Sequence, residues 1–457
     1  MVEVRKKMLT GAAIVALCSA VGIGGGLLGC APQQAPSEGG SDSGGGTAAA
    51  ETASADSEKT MEQWGELYPL QYGSFSEETI KSGKYEGHYA LKAKLLAPAV
   101  RVERSDGQTD TKLVNPSGTY DDGRVIVSGL EYDSETKQWV VVDSELDDLS
   151  GTRERQGCYA CKSAEFDKVY DQNGAGVFTE KMTDEFVDQM NGQVWSCNTC
   201  HDGDPATSAP DAQLTYWTQL ARDSFDKIDS SSRVCGQCHN SLDYRSRITD
   251  QDKMDSFSPY QYGFDVDSLY QAAMEDGIYT VDEETGIELS CLDHPDVEFL
   301  QGSVMGELGL NCIDCHMPET QEGEKAYTYH NASASPLENE TALEYCLTCH
   351  EKQGISSTDE MVEMVRGKQA EAAATIEELD GKFEAAYELI KEANQNGGAD
   401  EGTLQQARDD YSLAEAYYHA TKGGRDDGSK VVHNPAATAD YYAKCGNLLD
   451  GIVSSLA

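Results

Sequence analysis

Basic residues are scarce in this chain. Lys and Arg number 35 against 80 Asp and Glu, a formal net charge of -45. That balance excludes nucleic acid as a partner and argues against an anionic membrane surface. An anionic ligand needs a local basic funnel, and most of the acid serves solubility. Hydrophobic content is also modest, at 39% of 457 residues. The length still suffices for a sizeable core or two domains. Long apolar runs are missing apart from one, Met8 to Leu28, which follows Arg5, Lys6 and Lys7.

That run ends in Leu27-Leu28-Gly29-Cys30, a pattern that resembles a bacterial lipobox. A plain signal peptide ends in a small-residue site instead. The pattern implies a lipoprotein signal peptide over 1–29, cleavage before Cys30 and a lipid on its thiol. A retained membrane helix is the alternative, weakened by five glycines between Gly22 and Gly29. Those glycines mimic a dinucleotide fingerprint, but no strand precedes them. Residues 30–60 are rich in Gly, Ser, Ala and Pro and read as a flexible tether. The expected location is outside the cytoplasm, lipid-anchored at the outer face of the cytoplasmic membrane or in the periplasm.

Ten of the 14 cysteines fall into five C-x-x-C units. Four continue with histidine: Cys197/Cys200/His201, Cys235/Cys238/His239, Cys312/Cys315/His316 and Cys346/Cys349/His350. The first, Cys158/Cys161, continues with Lys162. C-x-x-C-H is the attachment site of c-type haem: two thioethers hold the macrocycle and the histidine ligates iron. Zinc sites pair their C-x-x-C units at closer spacing and fit poorly. Export agrees, because c-type attachment takes place outside the cytoplasm. Five haem c groups would fill much of the interior, which suits the modest apolar content. Cys18 lies in the signal segment. Cys291 and Cys445 are left over, either paired in an oxidising compartment or as two buried thiols.

Lys162 replaces the usual ligand. An amine ligates only when deprotonated, against an ordinary pKa of about 10.4, so burial and the ferric charge must hold it neutral. The alternative is a degenerate motif with Lys162 merely adjacent. As the ligand, Lys162 leaves the opposite haem face open to substrate. Of nine histidines, His88, His294, His330, His419 and His433 lie outside the motifs. They are about as many as four electron-transfer haems need for sixth ligands.

The expected fold is mainly α with little regular β: a multihaem cytochrome c fold over 61–457 with long C-terminal helices over 359–457. Residues 98–156 contain no Cys or His. They read as an insertion with a small β-hairpin, its strands over 124–130 and 138–142. Ile376, Leu379, Phe383, Ala386, Tyr387 and Ile390 trace a helix face, ended at Asn396-Gly397-Gly398. Thr403 with Gln406 looks like a capping box for the next helix, and a third covers 436–454. The helical stripe suits a core or a dimer seam.

One C-x-x-C-K followed by four C-x-x-C-H, in that order, resembles the pentahaem, ammonia-forming cytochrome c nitrite reductases over roughly residues 62–457. Supporting segments are Cys312-Ile313-Asp314-Cys315-His316-Met317-Pro318, Tyr327-Thr328-Tyr329-His330, His433-Asn434-Pro435, His294-Pro295 and Gly87-His88. The resemblance implies that Lys162 ligates the catalytic haem iron. It implies that His294 lies over the open face and that His88, His330 and His433 are distal ligands. Where the family has its fourth distal histidine, seven residues before the fourth motif, this chain has Met305. Either Met305 ligates, giving a raised potential, or His419 does.

The family's Glu-Tyr pair after the third motif corresponds to Asp243 and Tyr244 if two residues are inserted. With Cys291 and Asp293 these form a possible calcium site, the alternative being a solvated acidic pair. Tyr244 would be the catalytic tyrosine. At the family's arginine position stands Leu96, with Lys92, Lys94, Arg101, Arg104, Arg153 and Arg155 as possible substitutes. The implied activity is six-electron reduction of nitrite to ammonia. The alternatives are an electron-transfer cytochrome serving a partner reductase, or a reductase of another small oxyanion or hydroxylamine. Implied partners are a membrane quinol-oxidising cytochrome or a soluble donor, and a second copy in a homodimer.

Overall fold

The C-terminal helices show most plainly how the sequence folds. In the computed structural model, helix Thr358–Asn396 starts at Ser357, whose side chain accepts from the Glu360 N–H. Asp359 and Glu360 occupy its first turn, where the helix dipole favours acid. It ends at Gly397, whose φ of 65° suits glycine. Met361, Val365, Ala372, Ile376, Leu379, Ala386 and Ile390 form its buried stripe. Phe383 and Tyr387 flank that stripe, and Phe383 meets Tyr418 at 4.7 Å between ring centroids.

The next helix, Glu401–Lys422, starts before Thr403, so the expected Thr403/Gln406 capping box does not form. Asp400 caps it instead: its two oxygens accept from the Thr403 N–H at 3.1 Å and the Thr403 hydroxyl at 2.7 Å. A carboxylate three residues upstream out-competes a hydroxyl already inside the first turn. The third helix is Pro435–Leu456, with Asn434 accepting from the Ala437 N–H and Pro435 at the first position. Tyr417 stacks on Tyr441 at 5.2 Å, joining the second helix to the third.

The structure describes residues 59–75, 156–161, 163–180, 186, 189–190, 196–242, 247–290, 292, 295–332, 334–422 and 428–457, with short strands between 100 and 141. The signal segment, Cys30, the tether and His88 lie outside them. Strands Gly118–Thr119, Val125–Val127, Leu130–Asp133 and Gln138–Val141 form an antiparallel meander. Val100–Glu103 pairs with Thr109–Lys112. The expected hairpin is therefore present, as Leu130–Asp133 against Gln138–Val141. The run 124–130 is not a single strand, however: Val127 and Leu130 are cross-strand partners. Ser128-Gly129 between them is a turn signal in the sequence.

Elsewhere the described chain is short helices and loops, with two small antiparallel pairs, Thr280–Val281 against Glu288–Leu289 and Glu319–Glu322 against Lys325–Thr328. Its main core runs from Tyr159 and Phe166 through Trp217 and Ile287 to Leu449 and Ile452. A smaller cluster of Leu343, Met361 and Val365 packs against Cys346. Cys445 is a free, fully buried thiol in the main core. Among the described residues no helix is long and apolar enough to cross a membrane.

Candidate haem sites

A C-x-x-C-H pentapeptide works by coiling into one helical turn, which brings both thiols to one side and the histidine just beyond. In the second motif the Cys200 and His201 N–H groups both donate to the Cys197 carbonyl, at 3.1 and 3.0 Å. In the third, Cys238 and His239 do the same to Cys235, at 3.1 and 2.9 Å. The fourth motif is the short helix Cys312–His316, capped by the Asn311 side chain. The fifth closes helix Glu340–His350. The first begins in the turn Gln156–Tyr159. A Cβ on Gly157 would lie 2.5 Å from the Phe178 carbonyl oxygen, so only glycine fits there. Lys162 itself lies outside the described residues.

The two thiols of the fifth motif differ in burial. Cys349 is exposed, whereas its motif partner Cys346 is half-buried beside Leu343, Met361 and Val365. The cause is helix geometry. Steps of three residues fall short of a 3.6-residue turn, so the face rotates by about 60° from buried Leu343 to Cys346 and by about 120° at Cys349. The second thiol of this motif is thereby carried off the packed face, with the Thr348 hydroxyl at 3.8 Å. Cys346 and Cys349 are both free thiols.

The third motif is the meeting point of the others. The Cys238 thiol contacts the Cys161 carbonyl of the first motif at 2.7 Å. Cys235 is hydrogen-bonded to Cys312 of the fourth and lies beside Cys200 of the second. Cys315 in turn neighbours Cys346 of the fifth. Gln237, buried inside the third motif, donates to the Thr199 carbonyl of the second at 3.0 Å. Its side-chain oxygen accepts from the Gln213 and Leu214 N–H groups, both at 2.6 Å.

The histidines are prepared as ligands. A metal-bound imidazole commonly donates its remote N–H to a carbonyl or carboxylate, leaving the other nitrogen for the metal. His201 directs Nδ1 at the Ser208 carbonyl (3.3 Å) and His330 at the Thr328 carbonyl (2.6 Å). His239 and His433 both direct Nδ1 at Asp296, at 3.2 and 2.9 Å. With Nδ1 so engaged, Nε2 is the nitrogen each would offer to iron. Burial holds the His201 and His330 imidazoles below their ordinary pKa, hence neutral, and His330 feels His201 close by.

His316 and His433 have ring centroids 6.2 Å apart. Metal–imidazole bonds of about 2 Å put the centroids of two rings on opposite sides of one iron about 6 Å apart. The pair therefore fits the two axial ligands of one haem, and the donor set as a whole fits c-type haem. His419 differs: its Nε2 faces Glu415 at 3.4 Å. Met305 lies on the short helix Val304–Glu307. A Cβ on Gly306 would fall 2.2 Å from the Leu300 carbonyl oxygen, so glycine lets this turn pack tightly on the preceding helix, Asp296–Gln301.

That preceding helix carries two carboxylates that sequence reasoning missed, Asp296 half-buried and Glu298 buried. The Val297 N–H donates to the His239 carbonyl at 3.1 Å, tying the helix to the third motif. Asp296 accepts from Lys430 Nζ at 2.6 Å besides the two histidines. Burial alone would raise its pKa, but Lys430, His239 and His433 outweigh burial and hold the carboxyl well below the usual range. Glu298 accepts through one oxygen from the Ser241 N–H and hydroxyl, both at 3.0 Å, and from the Tyr260 hydroxyl at 2.8 Å. Burial pushes it up to about 7. Asp296 stands two residues beyond His294, which was a usable signal; Gln237, a variable position within its motif, offered none.

His294, Tyr244 and the other calcium candidates, Asp243, Cys291 and Asp293, lie outside the described residues. The structure does place their neighbours, Ser241 and Leu242 on one side and Leu292 and Pro295 on the other.

The chain is similar to known proteins. The chain is 26% identical over 247 residues to cytochrome c-552 of Haemophilus ducreyi, covering 50% of this chain and 46% of that protein. It is 27% identical over 199 residues to that of Bacteroides thetaiotaomicron, covering 42% and 38%. With cytochrome c-552 of Desulfotalea psychrophila the identity is 24% over 230 residues, covering 46% and 43%. The chain thus spans less than half the length of these curated relatives. Among solved structures, the cytochrome c nitrite reductase of Desulfovibrio desulfuricans, described with two calcium sites in its catalytic subunit, matches with a TM-score of 0.61. That match has 17% identity and covers 88% of this chain and 86% of the other, a likeness of fold. The cytochrome c552 family model matches residues 135–446, more than half of the chain, and the chain belongs to that family.

Proposed function

We propose that this protein is an exported, lipid-anchored pentahaem cytochrome that reduces nitrite to ammonium at its first motif. One observation carries the reading: Lys162 stands in the histidine position of the first of five haem motifs, in a cytochrome c552 family member. The fold likeness to a solved nitrite reductase supports it. When bound, four haems supply a path for electrons and the fifth, at Lys162, an open iron face for the nitrogen ligand.

The chain's own residues do the rest. Lys162 must be neutral to ligate, which burial favours. His201 with His330, and His316 with His433, would hold the second- and fourth-motif haems. His239 and His350 would take their partners from His88 and Met305. The engagement of His419 Nε2 with Glu415 supports Met305 over His419. Reduction of nitrite takes six electrons and eight protons and releases ammonium and two waters. His294 and Tyr244 deliver protons to the departing oxygens, and a basic residue from the set around Lys92 to Arg155 stabilises the anion. Asp243, Tyr244, Cys291 and Asp293 would supply the oxygen-rich ligands of a calcium ion. Electrons come from a membrane quinol-oxidising cytochrome or a soluble carrier with basic patches, suited to the acidic surface. The C-terminal helices form the seam of a homodimer.

The test is direct. Reduced holoprotein is mixed with nitrite, and ammonium is followed. Stoichiometric ammonium, abolished in Lys162→His together with the high-spin ferric signal, is expected. Haems that stay reduced in nitrite but reoxidise with a partner protein would replace this reading with an electron-transfer role.

A further inference from the structure

We propose that Asp296 is one positioning residue shared by two haem-iron ligands, His239 and His433, so that a single carboxylate sets the potentials of two haems, with Lys430 as its counter-charge. The proposal rests on the reading that both histidines ligate haem iron.

The geometry is specific. Oδ1 of Asp296 accepts from His433 Nδ1 at 2.9 Å and from Lys430 Nζ at 2.6 Å. Oδ2 accepts from His239 Nδ1 at 3.2 Å. A carboxylate only accepts, so each Nδ1 carries its proton and each Nε2 is left with a lone pair. The two rings cannot serve one iron. In a trans pair the Nδ1 atoms point away from each other, whereas here both point at the same carboxylate. His433 sits 6.2 Å from His316 by ring centroid, so its iron is that of the fourth motif, while His239 belongs to the third. Asp296 therefore stands between two adjacent haem sites and touches a ligand of each.

The electronic consequence follows. Hydrogen bonding to a carboxylate makes an imidazole a stronger donor, which favours ferric over ferrous iron and lowers the potential. Lys430 is only 2% exposed and opposes this through its positive charge. It shares Oδ1 with His433 alone, so its moderating effect falls mainly on the fourth-motif haem.

Spectropotentiometric titration of the holoprotein, with electron paramagnetic resonance at each potential, tests this. Asp296→Asn keeps the shape and removes the charge. It is expected to raise two of the five potentials, each by about tenfold in the one-electron equilibrium (about 59 mV), with both haems still low-spin. Lys430→Met is expected to move the same two potentials the other way, most at the fourth-motif haem, and Asp296→Glu to restore them partly. Opposite signs from the two neutralisations are not expected of a merely structural role. A shift confined to one haem, or the same sign from both substitutions, would overturn the proposal. If Asp296→Asn fails to fold, the Lys430→Met titration decides alone. Wild-type holoprotein lacking bis-histidine low-spin signals would overturn the ligand reading beneath it; intact signals with unmoved potentials overturn the shared carboxylate alone.

Discussion

Glu298 should make the fold less stable as pH rises, and Glu298→Gln should remove that dependence. Burial lifts its pKa from 4.5 to about 7. The folded state thus holds the proton more tightly than the unfolded chain. Its contribution is full below the unfolded value and is lost as pH climbs through the folded one. A shift of about 2.5 units at about 1.36 kcal/mol per unit amounts to roughly 3 kcal/mol. Glutamine keeps an oxygen for Ser241 and Tyr260 and stays neutral, as the protonated acid does. Linkage then makes the variant more stable than wild type by about 1 kcal/mol at pH 5 and by about 3 kcal/mol at pH 8. Urea midpoints of both holoproteins, followed by far-ultraviolet circular dichroism in half-unit steps, measure the gap. Parallel curves across that range would refute the reasoning, because a Glu298 that ionises alike in the folded and unfolded chain gives no widening.

Two further outcomes test the ligands and the joint between motifs. Met305→Leu should convert one haem to high spin in the ferric spectrum, whereas His419→Ala should leave the spectrum unchanged; the reverse result would make His419 the ligand. Gln237→Leu leaves the Gln213 N–H, the Leu214 N–H and the Thr199 carbonyl without their partner. At about 1–3 kcal/mol for each buried polar group left unpaired, it should cost roughly 3 kcal/mol or more in urea unfolding, and an unmoved midpoint would contradict the role given to Gln237.

What was legible in the sequence was whatever is periodic or contiguous. The motif pentapeptides are contiguous because one helical turn must deliver both thiols and the ligand. Their burial is another matter: Cys349 is exposed because its helix turns it off the packed face, which the motif alone does not record. The C-terminal helices are periodic because one face of each is buried, and Gly397 ends the first as its neighbours indicated. The cap of the second helix was misread because Asp400 and Thr403 both carry capping side chains, and their competition is settled by backbone geometry. The hairpin was legible in kind, but the bounds of its first strand were not, because β-branched residues on both sides of Ser128-Gly129 run on as one apolar stretch. The Asp296 and Gln237 contacts were hidden for another reason. They join residues far apart in the chain, Asp296 to Lys430 and Gln237 to Thr199, and no local spacing records such pairs.

The convergence on the third motif has a consequence for fault tolerance. Among the described contacts, Cys238 reaches the first motif, Cys235 the second and fourth, and the fifth is reached only through the fourth. On the proposed reading of five haems, the network would be a branched tree rather than a series circuit, with its junction at Cys235 and Cys238. Loss of the second haem would then remove a side branch and leave the others linked. Loss of the third would cut the network in two.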